Sequence, residues 1–211
     1  MQLLYSLDAM ENNSSKIDPI KLLKQKLDES RALFVYFLYF ITEVCRYAEI
    51  DSKHRSGKNL PSAADLNVNT KLAGNQILWK ILESVPFKNA IEIDLPSKVD
   101  QESDWVKKVY INLVNSEYYQ KYIEAQFRDK KAEVEILKFI FTDLMLADDA
   151  YMAHVEEHFT NLDDDAEMMQ QLILNYFQKP ATQDITKMVG EEKWLFAKQL
   201  LLTVREKRSL L

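Results

Sequence analysis

The chain has 211 residues, enough to bury a sizeable core in one domain or two small ones. Hydrophobic residues make up 47% and charged residues 28%, and with 3 Gly and 5 Pro there is little material for hairpins or Gly-rich phosphate loops. A net charge of −6 argues against wholesale coating of nucleic acid, although a local basic patch could still bind it.

The first residues, MQLLYSL, place Leu3, Leu4 and Leu7 at helical spacing with Tyr5 beside them. ENNSSKID, residues 11–18, is a polar linker. Asp18 then offers an N-cap and Pro19 suits a first helical position. Ile20, Leu23, Leu27, Phe34, Leu38, Ile41 and Cys45 continue at helical spacing, which predicts one long helix to about Asp51, bent near Ser30. Its most apolar run, ALFVYFLYFI at residues 32–41, is too short for a membrane span of ~20 residues and reads as a buried helix. Cys45 lies in that apolar stretch. A single cysteine excludes an internal disulfide and suits a buried thiol in the reducing cytoplasm.

Residues 52–67, SKHRSGKNLPSAADLN, read as a loop with a basic start. Asn69 is the expected cap of a helix carrying Leu72, Ile77, Leu78, Ile81 and Leu82. Pro86 and Pro96 mark residues 84–99 as a second connection, between a helical region 1–83 and another at 84–211, the two either separate or one continuous domain. Helices follow with Trp105, Val109 and Val114, then with Tyr119, Tyr122 and Ile123. Asp129 is the expected start of a helix bearing Val134, Leu137, Phe141 and Leu144, and Asp148 or Asp149 of one bearing Met152, Val155 and Phe159. Asp163 to Asp165 begin another with Met168, Leu172, Ile173 and Tyr176. A last helix from about Asp184 or Gly190 carries Trp194, Ala197, Leu200, Leu201 and Val204. No stretch has the alternation of a strand. The fold class is all-α, a multi-helix bundle of roughly eight or nine helices.

Two local patterns bear on chemistry. HVEEH, residues 154–158, fits the H-x-x-E-H zinc motif: His154 and His158 at i, i+4 would hold a metal, with Glu157 as general base. The competing reading is structural, with Met152, Val155 and Phe159 buried and His154 and Glu157 toward solvent. KHRSGK, residues 53–58, brings Lys53, Arg55 and Lys58 to a helix end, where they can contact phosphates or simply complement the helix dipole. Arg205, Lys207 and Arg208 have the same two readings at the end of the last helix. Paired carboxylates at Asp148–Asp149 and Asp163–Asp165 fall where helix caps belong, and no G-x-S-x-G accompanies the 3 histidines.

Several stretches, in chain order, resemble one family. QLLYSL, residues 2–7, is similar to the first-helix segment of NusB, the bacterial transcription antitermination factor, in which a Leu-Tyr-Ser or Leu-Tyr-Gln element follows an arginine-rich start. YFLYFITEVCRYAE (36–49), LPSAADLNVNTKL (60–72) and SEYYQKYI (116–123) resemble long-form NusB-like proteins, which carry a large helical insertion. EEKWLFAKQLLLTV (191–204) resembles the helix leading back into the common NusB domain. The resemblance implies an all-helical cytoplasmic protein that is not an enzyme and needs no cofactor. It implies binding of the boxA element of nascent RNA together with NusE, a ribosomal protein. Gln2 and Tyr5 are the residues it assigns to RNA, to which the basic loop adds Lys53, Arg55 and Lys58. It also implies that the arginine-rich start and the C-terminal half of the NusB domain lie outside these residues, leaving apolar faces suited to self-association. The other readings are a helical interaction or scaffold module without RNA binding, and, remotely, a zinc hydrolase built on His154, Glu157 and His158.

Overall fold

The computed structural model describes residues 19–94, 103–159, 162–179, 198, 199, 202 and 203. The described residues are helical, with no strand among them. In chain order they form α1 (Pro19–Ser56), α2 (Ala63–Leu66), α3 (Gln76–Glu83), α4 (Val85–Asp94), α5 (Ser103–Val114), α6 (Glu117–Glu124) and α7 (Lys130–Phe139). A π-helical segment, Ile140–Met145, prolongs α7, and α8 (Asp149–His158) and α9 (Leu162–Gln178) follow. The chain divides into two compact units, Ala32–Gln183 and a second made of Met1–Arg31 with Asp184–Leu211. In the second unit, the described part of α1 from Ile20 to Arg31 is half-buried at most positions, and residues 198, 199, 202 and 203 are helical. Residues 83 and 84, where the sequence suggested a division, lie inside the larger unit at the junction of α3 and α4.

The larger unit is built around α1. Leu33 through Leu38, Phe40, Ile41, Val44, Cys45 and Ala48 are all buried, so this stretch faces protein on every side. A helix apolar all round can be soluble only as the centre of a core. Its aromatic residues are received by rings from later helices. Phe37 meets Phe141 at 5.3 Å, Phe40 meets Tyr151 at 4.8 Å, Tyr36 meets Phe159 at 5.1 Å and Phe34 meets Tyr176 at 6.0 Å. Each fully buried side chain of this size contributes about 1.5–3 kcal/mol. No described helix is long and apolar enough to cross a membrane.

Helix boundaries depart from the sequence reading at identifiable places. α1 runs on to Ser56, taking in Lys53 and Arg55, because Arg55 pairs with Asp51 one turn earlier at 2.9 Å and the Ser56 hydroxyl donates to the Lys53 carbonyl. Asn69 is not the cap of α3. It makes an Asx turn, accepting the Lys71 amide at 2.8 Å, and Asn75 is the cap, accepting from Ile77 and Leu78. Residues 84–99 are not simply a connection: Val85–Asp94 is α4, with Pro86 in the first turn, where a missing N–H costs nothing. α9 starts at Leu162, ahead of the expected aspartates.

The π-helical segment also changes which residue is buried. Its Leu146 amide bonds to the Phe141 carbonyl, five residues back. With the widened turn Met145 is buried in the core, as Phe141 is, while the expected Leu144 is half-buried. Similar one-residue displacements bury Tyr151 rather than Met152, and Met169 rather than Met168, which is 49% exposed. The MQLLYSL segment, Asp18, Pro96 and the last-helix residues Trp194, Ala197, Leu200, Leu201 and Val204 lie outside the described residues.

Candidate functional site

At the end of α1 the basic residues meet carboxylates. Arg55 donates to Asp51 at 2.9 Å, and Tyr110 of α5 donates to the other oxygen of Asp51 at 3.4 Å. Lys58 reaches Asp65 at 2.7 Å. Asp65 also accepts the amide and hydroxyl of Ser62, and Ser62 in turn caps α2, a reciprocal capping box. The Lys58 ammonium, followed by the two Ser62 donors, holds the Asp65 carboxyl well below the usual carboxylate range. Lys53 is exposed and has no ion pair among the described residues. The structure thus brings Lys53, Arg55 and Lys58 to one helix end, with two of the cations already neutralised by Asp51 and Asp65. Gln2, Tyr5, Arg205, Lys207 and Arg208 lie outside the described residues.

The most constrained polar region was not singled out from sequence. It joins the turn before α3 to α6 and α7. Asn75 is fully buried: its carbonyl oxygen accepts the Ile77 and Leu78 amides at 2.9 and 3.3 Å, and its amide group donates to the Glu133 carbonyl at 3.0 Å. Glu133 is 1% exposed, and its carboxylate accepts the Gln76 amide at 2.7 Å and the Tyr122 hydroxyl at 3.0 Å. These donors supply the compensation that a buried carboxylate requires. Nearby, the Lys71 ammonium bonds the carbonyls of Tyr122 at 2.7 Å and Ala125 at 2.8 Å, capping the C-terminus of α6, and lies 4.8 Å from the Tyr122 ring centre. The Arg128 guanidinium donates to the Gly74 carbonyl. The segment LNVNTKLAGN is thereby fixed to two helices distant in sequence.

Signals for this network were present. Asn75 precedes the apolar run ILWKIL as an N-cap should. Glu133 sits one turn before Leu137 on the buried face of α7, a polar residue at a core position. Partners were not readable, because Glu133 and Gln76 are 57 residues apart. Cys45 is buried nearby: burial, and then the charge of Glu133, push its thiol far up. Burial, followed by Cys45 and Asp51, pushes Tyr119 up to about 12.

On α8 the HVEEH residues do not take the expected orientation. His154 was placed toward solvent, yet its side chain is 11% exposed and stacks on Trp105 of α5 at 5.7 Å. The physical reason is that Trp105 provides an apolar plane over that side of α8. Glu157 does face solvent, at 75% exposure, and stands 4.0 Å from the His154 Nδ1. The ring of His158 is perpendicular to that of His154 at 5.0 Å. Among the described residues, no group of three or more His, Cys, Asp or Glu side chains is arranged to hold a metal ion.

Comparison with protein-family models, curated proteins and solved structures returned no match.

Proposed function

We propose that this chain is a NusB-like transcription antitermination factor or its N-terminal and inserted helical region. It acts in the cytoplasm by binding boxA-type RNA and NusE, without catalysis and without a cofactor. The observation that carries the reading is the order of family-like stretches along the chain, with LNVNTKL, in its place among the others, giving it most specificity. The all-helical fold agrees with it, and within that stretch Asn69 and Lys71 make the local and long-range hydrogen bonds that fix the segment in place. On this reading Gln2, Tyr5 and Lys53 face RNA, with Arg55 and Lys58 exchanging their carboxylate partners for phosphate.

The test is an anisotropy titration of the full chain with a boxA-type RNA and a scrambled control at two salt concentrations. Sequence-specific recognition leaves a preference for boxA at the higher salt, whereas phosphate contacts alone lose affinity for both RNAs together. Equal affinity for the two RNAs, or no binding to either, defeats the RNA role.

A second reading, a helical interaction module without RNA binding, is favoured by the pairing of Arg55 and Lys58 with acids. It is favoured also by the exposure of Leu60 (92%), Leu66 (61%), Trp79 (57%) and Phe127 (84%). Under it, NusE or a second copy of the chain binds in the absence of RNA. Light scattering across a concentration series separates self-association from a monomer.

A further inference from the structure

Within the larger unit, α5 and α8 are joined by aromatic and ionic side-chain contacts. Trp105 stacks on His154 with ring centres 5.7 Å apart and planes 23° from parallel, and its edge meets Tyr151 at 5.9 Å. Lys108, one turn along α5, pairs with Asp148, the N-cap of α8, at 2.6 Å. The same ammonium lies 4.5 Å from the Trp105 ring centre. On the far side, Phe40 of α1 packs against Tyr151. The Nε2 of His154 is buried and has no hydrogen-bond partner among the described residues. Its Nδ1 is 4.0 Å from Glu157, too far for a hydrogen bond.

We propose that His154 is a protonation-sensitive latch: its neutral ring holds α8 against α5 through the Trp105 stack, and its protonation releases that contact. A neutral imidazole with one nitrogen in an apolar wall packs as a flat ring. An imidazolium has two N–H donors, both needing acceptors, and Nε2 meets none among the described residues. The charged and titratable groups around the pair are Lys108 and Asp148, already joined to each other, and Tyr151, Glu157 and His158 on α8 itself. His158 opposes a new cation at His154. Glu157 favours it, but at 75% exposure its attraction is screened by solvent. Burial first, and His158 second, lower the His154 pKa from its ordinary 6.5, with Glu157 in partial opposition. The released state therefore binds the proton more readily than the latched one. The latch is fully engaged above about pH 6.5 and weakens as pH falls from there through the lowered value, reaching its limit below both.

The test uses the full chain. Histidine imidazole signals and tryptophan fluorescence are titrated together from about pH 8 to pH 5, the range in which histidines change charge. Trp105→Phe identifies the contribution of Trp105. The expected result is a His154 midpoint below the ordinary histidine value and a Trp105 signal change that tracks it. Hydrogen exchange of α8, corrected for intrinsic rate, should also rise, by about tenfold for each pH unit separating the latched and released midpoints. His154→Gln should abolish the transition, and His158→Gln should keep it with a higher midpoint. A His154 midpoint at or above the ordinary value, or a transition that persists in His154→Gln, overturns the proposal. If His154→Gln does not fold, the titration of the unsubstituted chain decides alone.

Discussion

Asn75→Ala isolates the polar network between α3 and α7. The native side chain caps α3 through two amide acceptances and ties the cap to the Glu133 carbonyl. Losing an N-cap costs about 0.5–2 kcal/mol, and leaving buried amides without an acceptor costs about 1–3 kcal/mol. The two overlap, since the same amides are counted in both, so the expected loss is about 2–4 kcal/mol. Urea unfolding followed by far-UV circular dichroism reads this as a lower midpoint at unchanged slope. Asn75→Asp sharpens the test. Aspartate is as good an N-cap as asparagine, so a pure capping role predicts no loss. The network predicts otherwise, because Asp cannot donate to the Glu133 carbonyl and would bring a second carboxylate beside Glu133. Asn75→Ala within about 0.5 kcal/mol of the parent, or Asn75→Asp at parental stability, would refute the reasoning.

Cys45, fully buried with its thiol pushed up by burial and by Glu133, should resist alkylation in the folded chain; in Asn75→Ala the labelling rate should rise about tenfold for each 1.4 kcal/mol of lost stability. Phe40→Ala should destabilise by about 3–5 kcal/mol in calorimetry or urea unfolding, because Phe40 is fully buried against Tyr151; a loss under about 1 kcal/mol would refute the packing of Phe40 as a stabilising contact. A carboxyl-carbon titration should find Asp65 still ionised while other carboxylates protonate, since its value is lowered. Its capping hydrogen bonds therefore persist above the ordinary 3.8 and are lost only as pH falls through the lowered value. Lys58→Ala should move that titration upward, Lys58 being the largest cause of the shift, and an unmoved value would remove Lys58 from the account.

Much of the fold is legible from pattern. The apolar run at 32–41 marks a helix with no polar face, and that is the helix around which the larger unit is built. Asp148 caps α8 and Asp129 precedes α7 as the spacing suggests, although Asp129 makes no side-chain cap bond. The misplacements are small and of one kind. Leu144, Met152 and Met168 were read as core residues where Met145, Tyr151 and Met169 are. An apolar side chain beside the true stripe scores almost as well as one on it. A π turn shifts the stripe without leaving a trace in composition. The basic loop was legible as a cluster, but not as one paired internally. The Lys58–Asp65 pair spans seven residues across a turn, beyond the reach of helical periodicity.

Sequence alone determined that this is an all-helical chain, where most helices lie, and that α1 must be buried, because these follow from local propensity and the spacing of apolar side chains. Only the tertiary structure decided that Asn75 and Glu133 form one buried network, that His154 lies under Trp105 rather than in water, and that Arg55 and Lys58 already have carboxylate partners. Burial and pairing depend on which distant residue arrives at a given side chain, and that is set by packing, not by the neighbours along the chain.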